Sequence, residues 1–209
     1  MDITWYGHSC FRLVERGMAA IVTDPYADTL GYKLPRLRAD VVTISHDAPG
    51  HANIDAWPKG THIVRRPGEY EIGGVFIIGV AMHDLEKERS NTVFLFDFDG
   101  LNIVHLGDLG FVPSQSDVDA LGAVNVALVP VGGGNALNAA QAAEVVSLIE
   151  PDIVIPMHFK TPFTKLKLDE PDRFLQAMGI DKIQTMSSLR VSASALPEQT
   201  QVVVLEPQQ

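Results

Sequence analysis

A single cysteine, Cys10, stands in this chain of 209 residues, so no disulfide can join two parts of it and its fold must rest on burial and hydrogen bonding. Long apolar runs are missing as well. Nowhere do the roughly 20 uninterrupted apolar residues of a membrane-spanning helix occur, so no membrane span is expected. Cationic excess is also lacking: 16 Lys and Arg stand against 26 Asp and Glu, a formal charge of -10. That balance repels nucleic-acid backbones and anionic lipid surfaces, although a local pair such as Arg65 and Arg66 can still hold one anionic group. The opening Met-Asp-Ile-Thr-Trp has neither the basic region nor the apolar run of a secretory signal, and the expected location is cytoplasmic. Low complexity, heptads, short repeats and a linker are all absent. The partners expected are small molecules, with no nucleic acid and no membrane.

What is present is apolar sequence in short pieces. Apolar side chains make up 46% of the chain, enough for a large core, and 1–209 reads as one domain. Brief β-branched and aromatic runs, separated by Gly, Pro, Asp and Asn, predict strands at 10–14, 19–23, 41–45, 75–80, 92–98, 101–106, 125–130, 153–157 and 201–205. Asp99-Gly100 is a turn that joins two of them into a hairpin, so the first half is expected to be antiparallel. Helices are fewer. The segment 138–150 carries Ala140, Ala143, Val146 and Ile149 at helical spacing, with Asn138 as N-cap and Gln141 completing a capping box. A second helix is expected over 171–178, ended by Gly179, and a short one within 114–121. Early hairpins followed by helix-linked strands give an α+β, four-layer αββα sandwich: two stacked mixed β-sheets flanked by helices. Exposed strand edges make a homo-oligomer reasonable.

The chemistry lies at the ends of the apolar runs. Asp24 follows 21–23, His46 follows 41–45, His83 follows 77–82, Asp108 closes the turn after 101–106, His158 follows 153–157, and His51 adds a further imidazole. Imidazole and carboxylate suit zinc, iron or manganese, and strand ends hold them rigidly enough for coordination.

Thr-Asp-Pro at 23–25, Ser-His-Asp at 45–47, His-Leu-Gly-Asp at 105–108 and Pro-Met-His at 156–158 occur in the order of the metallo-β-lactamase superfamily, which the chain resembles over most of its length. Trp-Tyr-Gly-His-Ser-Cys-Phe at 5–11 and Pro-Gly-Glu-Tyr-Glu at 67–71 are similar to a bacterial branch of small metal-dependent hydrolases. The family's His-x-His-x-Asp-His stretch is degenerate here, because Ala48 stands for its second His and Gly50 for its Asp. The resemblance implies one metal on His46 and His83, a second on His51 and His158, and Asp108 between them, each set short by one ligand. One divalent transition metal is therefore expected, most simply zinc, with manganese or iron as alternatives and no metal as the limiting case. Asp24 is implied as a support for a ligand, and His8 as a residue lining the pocket.

Other residues have plainer readings. His8 and Cys10 share a face of a predicted strand, which would permit a Cys-His nucleophile, yet a lone Cys is more simply a small buried hydrophobe. Asp47 could swing in as a substitute ligand or point elsewhere. His105 reads as a core residue and His62 as a surface one. Gly132-Gly133-Gly134 could cradle an anion or simply pack closely, and Lys160 could meet a substrate anion or only water. Two functions follow: a metal-dependent hydrolase of a small ester, amide, lactone or phosphoester with an incomplete metal site, or a catalytically inactive relative that binds a ligand or partner.

Overall fold

The computed structural model describes residues 1–55, 57–84, 88–181, 183 and 185–209. Two mixed sheets stack face to face. The first contains β1 (Asp2–Trp5), β2 (Phe11–Val14), β3 (Ile21–Thr23), β4 (Val41–Thr43), β5 (His62–Val64) and β13 (Leu189–Arg190), in the order β13-β1-β2-β3-β4-β5. The second contains β6 (Gly68–Ile72), β7 (Val75–Asp84), β8 (Arg89–Phe98), β9 (Leu101–His105), β10 (Val126–Pro130), β11 (Ile153–Met157) and β14 (Gln201–Val202), in the order β14-β11-β10-β9-β8-β7-β6. A small parallel pair joins β12 (Thr185–Met186) to β15 (Val204–Leu205).

Side-chain alternation explains the stacking. Ile3 and Trp5 of β1, Phe11 and Leu13 of β2, Ile21 of β3 and Val41 of β4 point into the main core against the second sheet. The intervening residues Cys10, Val22, Val42 and Ile44 face the other way, with Tyr26, Leu30 and Tyr32, into a second cluster. That outer face is covered by the segments 24–40 and 44–61 rather than by an α-helix; within them lies only a short 3-10 turn, Asp28–Leu30. In β10 and β11 every residue is buried, as expected of parallel strands covered on both faces. β7 alternates buried and accessible residues along its length.

The first half departs from the antiparallel expectation. β1, β2 and β3 pair antiparallel, but β3, β4 and β5 pair in parallel. The segments 24–40 and 44–61 are long enough to return the chain to the starting edge, which a hairpin cannot do. The β8–β9 hairpin is as expected: Phe98 pairs with Leu101 across Asp99 (φ 54) and Gly100 (φ 86), both in the left-handed region this two-residue turn requires.

Three helices accompany the second sheet: α1 (Gln115–Asp119), α2 (Ala139–Ile149) and α3 (Asp172–Ala177). In α2 the capping box is complete. Asn138 Oδ1 accepts from Gln141 N at 3.0 Å, and Gln141 Oε1 accepts from Asn138 N at 3.1 Å. The buried stripe is Ala142, Val145, Val146 and Ile149, rotated from the expected one, because Ala140 is exposed. Within the described residues no helix is long and apolar enough to cross a membrane.

The topology sets the site. Because β3 and β4 run parallel in one sheet, and β9, β10 and β11 in the other, their C-terminal ends gather at one edge of the sandwich. The residues that follow those strands meet there.

Candidate metal centre

Asp24 is the anchor. It follows β3 in a left-handed conformation (φ 39), fully buried, and its two carboxylate oxygens organise the β4 loop. Oδ1 accepts from Ser45 N at 2.7 Å, and Oδ2 accepts from Ser45 Oγ at 2.6 Å. His51 Nδ1 lies 2.8 Å from the same Oδ2, which places the proton on Nδ1 and frees Nε2. Ser45 Oγ in turn lies 3.1 Å from His46 Nδ1, leaving His46 Nε2 to face Asp108. One buried carboxylate thus orients two imidazoles.

Asp108 is held from the second sheet. Asn91, on β8, accepts from Asp108 N at 3.0 Å and donates to Leu106 O at 2.9 Å, clamping the turn after β9. Gly107 makes the turn possible: its φ is 60, and a Cβ there would lie 2.4 Å from Asn91 Oδ1 and 2.6 Å from Ser45 Cβ. The carboxylate meets four cationic or imidazole groups. Oδ1 lies 3.1 Å from His158 Nε2 and 3.5 Å from His51 Nε2, with hydrogen-bond geometry to neither. Oδ2 lies 3.7 Å from His46 Nε2 and 3.4 Å from Arg89 Nη2.

His158 follows β11 with φ 51, and His8 sits in the β1–β2 turn with φ 52. Together with Asp24 they account for three of the six non-glycine residues at left-handed φ among those described, a concentration of backbone strain that marks functional sites. His158 N donates to His8 O at 3.1 Å, so the two loops are tied together. Gly132 packs against the first of them, where a Cβ would lie 2.2 Å from His158 O, so close packing accounts for this glycine. The His8 and His158 rings approach to 4.4 Å between centroids, and His8 Nε2 lies 3.0 Å from His51 Nε2.

Burial sets the charge states. His51, His8, His158 and Asp108 are 2%, 3%, 4% and 7% exposed. Burial holds His46 down at about 4, and it also keeps His8 and His158 below the ordinary histidine range, so all three offer neutral nitrogens at neutral pH. For His51 burial pulls the same way, but the Asp108 and Asp24 carboxylates outweigh it and lift the ring above that range. Burial would raise Asp108; the imidazoles of His51, His158 and His46 hold it well below the usual carboxylate range instead. The two carboxylates therefore call for a positive charge at His51, from a proton or a cation.

The donor atoms fit a metal. Those of His8, His51 and His158 all lie within 4.8 Å of one another, as do those of His46, His51 and Asp108. Several other expected residues lie elsewhere. His83 is on β7, exposed, with Nδ1 3.0 Å from Ser90 Oγ, and is not drawn into either group. It is flanked by buried Met82 and Asp84, so strand alternation turns it outward. Asp47 points to Arg65, 3.3 Å away and exposed. Cys10 is buried in the second cluster, and burial raises its thiol well above the ordinary range, which leaves no Cys-His nucleophile. His105 is a buried residue whose Nε2 donates to Ser9 O at 2.8 Å, and Lys160 pairs with Glu170. Sequence reasoning missed Arg89 and Asn91; two polar residues at alternate positions opening an apolar strand were the available signal. A narrow cleft lined by Met82, Arg89, Phe111 and Asn135 reaches Asp108 and encloses about 10 Å³, close to the room one water needs. A large surface cavity lined by Arg12, Arg36, Arg38 and Lys59 among others includes none of His8, His46, His51 and His158.

The sandwich whose edge carries this cluster, fed by five loops, is matched by known proteins. A family model described as the beta-lactamase superfamily domain matches residues 2–158, and the chain belongs to that superfamily, in its metallo-β-lactamase fold. A crystal structure of a candidate Zn-dependent hydrolase of the metallo-beta-lactamase superfamily from Thermotoga maritima is 35% identical, with a TM-score of 0.78 over 98% of this chain and 97% of that one. A UPF0173 metal-dependent hydrolase of Thermoplasma acidophilum is 26% identical over 209 residues, 86% of this chain and 91% of the relative. A metallo hydrolase of Ignicoccus hospitalis, 23% identical, shares the fold with a TM-score of 0.66 over 91% of this chain and 99% of that one.

Proposed function

We propose that this chain is a metal-dependent hydrolase of a small ester, amide, lactone or phosphoester, with one divalent transition metal held in the cluster of His46, His51, Asp108 and His158. The observation that supports it is the convergence of three imidazoles on the Asp108 carboxylate, with the buried Asp24 orienting two of them. Nitrogen and carboxylate donors suit zinc first, and manganese or iron next. When bound, such a cation acts as a Lewis acid and lowers the pKa of a water toward neutrality.

The protein's own groups do the rest. Asp24 holds the proton of His51 on Nδ1, so that Nε2 stays an electron-pair donor. Asn91 and Gly107 fix the carboxylate of Asp108. Arg89 lines the cleft that reaches Asp108, where its guanidinium faces the negative charge that develops on a carbonyl or phosphoryl oxygen lying across the mouth.

Elemental analysis of the purified protein, before and after zinc, manganese or iron loading, tests the reading, with a screen of esters, lactones, amides and phosphoesters. About one equivalent of metal, lost in the His46→Ala, His158→Ala double variant, and turnover of one substrate class are expected. No uptake of any of the three metals would sink it. Arg89 favours a second reading, a binding protein without turnover, because its guanidinium balances Asp108 in the manner of a bound ion. No metal uptake and no turnover across the screen, with Arg89 left in the ion's place, would select that reading.

A further inference from the structure

The loop after β4 reads His46-Asp47-Ala48-Pro49-Gly50-His51, and the space beside Gly50 is filled by another residue. A Cβ at Gly50 would lie 3.0 Å from His8 Nε2 and 3.4 Å from His8 Cδ2. The imidazole of His8 therefore occupies the volume into which a side chain at position 50 would project. From there its Nε2 faces His51 Nε2 at 3.0 Å. Two imidazole lone pairs cannot face each other at that distance without a proton or a cation between them. The separation is close to the ~3.3 Å between two nitrogens that share a tetrahedral zinc at bonds of ~2.0–2.1 Å.

His8 is also held ready. Gly7, at φ 96, packs against the Tyr32 ring, and a Cβ there would lie 2.5 Å from it. The His8 carbonyl accepts from Trp5 Nε1 at 3.0 Å and from His158 N at 3.1 Å, so the backbone beneath the ring is tied on two sides. Among the described residues His8 Nδ1 has no hydrogen-bond partner, so the ring is committed to nothing but the cluster. Among the described residues no comparable substitute appears beside Ala48, since Asp47 turns out to Arg65 and His83 faces outward from β7.

We infer that His8 takes the coordination place left by Gly50, so that His8, His51 and His158 form a three-imidazole site for a single divalent transition metal, with Asp108 and His46 beside it. The inference rests on the metal-dependent reading above and revises its donor set: His51 and His158 are kept, His8 joins them, and Asp108 and His46 lie beside the ion. It also makes the site mononuclear, because the replacement exists on one side of Asp108 only.

The test is Zn²⁺ affinity by competition with a chromophoric chelator, together with the visible spectrum of the Co²⁺-loaded protein. Loss of a residue that merely orients a ligand costs 10–100-fold in affinity, so removing a ligand in His8→Ala is expected to weaken Zn²⁺ binding by more than about 100-fold and to alter the Co²⁺ bands. The double variant His8→Ala, Gly50→Asp is expected to regain affinity, since the carboxylate enters the space the imidazole leaves. His83→Ala is expected to bind as the unaltered protein does. Thermal melts in chelator report whether each variant folds. Should His8→Ala not fold, Gly50→Asp alone is read instead: its side chain contends with His8 for one space and is expected to change the Co²⁺ spectrum, and an unchanged spectrum overturns the inference. An His8→Ala protein with the Zn²⁺ affinity and Co²⁺ spectrum of the unaltered protein overturns the inference and leaves the hydrolase reading intact. An unaltered protein that takes up neither metal overturns both.

Discussion

On one side of Asp108 the rings of His8, His51 and His158 are buried, joined to Asp24 and to a backbone hydrogen bond between the loops that carry two of them. On the other side Asp47 reaches out to Arg65 and His83 lies on the outer face of β7. The chain that supplies both sides is similar in composition; what differs is support. A polar group stays aimed inward when other groups hold it there, because a buried donor or acceptor without a partner costs about 1–3 kcal/mol. The supported side has Asp24, Ser45 and the His158–His8 backbone contact, whereas on the open side His83 meets the hydroxyl of exposed Ser90 among the described residues.

The contrast can be broken most directly at Asp24. Asp24→Ala removes the acceptor of Ser45 and His51 at once and is expected to cost roughly 3–5 kcal/mol in urea denaturation with chelator present, as for other broken buried ion pairs. Zinc affinity should fall by about 10–100-fold in the same variant. Unchanged stability would mean that the supported side is not supported by Asp24. Next comes Asn91→Ala, which leaves Asp108 N and Leu106 O without their side-chain partner and is expected to lose about 1–3 kcal/mol with a smaller drop in zinc affinity.

Arg89→Met sharpens the comparison from the other direction. It removes a positive charge 3.4 Å from Asp108 Oδ2, so zinc should bind several-fold more tightly, roughly, and the gain should shrink as salt is added, which titrations at two ionic strengths would show. A loss of affinity would assign Arg89 to holding Asp108 in place. Away from the metal cluster, a separate check falls on Cys10. Burial raises its thiol pKa, so the reactive thiolate is depleted at pH 8, and iodoacetamide should label the folded protein at least about 100-fold more slowly than the unfolded chain. Rapid labelling would place the thiol nearer the histidines than the second core cluster allows.

Much of this architecture was legible in the residues. Asn138 and Gln141 marked the start of α2, Asp99-Gly100 marked a hairpin, and the strand ends before His46, Asp108 and His158 marked the site, because each signal is local. β6 was not read as a strand: in Gly-Glu-Tyr-Glu-Ile only Tyr70 and Ile72 alternate with glutamates, half-buried against the core, and the segment forms an edge strand where β7 offers it a partner. His83 was misplaced for a related reason. The strand before it was read as ending, but β7 runs on to Asp84 and pairs with β8, so His83 sits within a ladder rather than at its end. His8 was read as lining a pocket, and its position against Gly50 depends on a left-handed backbone and on a loop more than forty residues away, which no local pattern encodes. Arg89 and Asn91 were missed because what they hold, the turn that carries Asp108, lies on another strand's end and no local pattern announces it.

The hydrogen bond from His158 N to His8 O also bears on how the protein is made. His8 is synthesised well before His158, which arrives only after β10 and α2. Until then β11 cannot pair with β10, and the ring of His158 has no fixed place. Bringing such distant segments together is the slow, entropically costly part of folding. A cation captured by the growing chain would find only part of its ligand set, so completion of the second sheet and secure capture of the ion belong to the same late event.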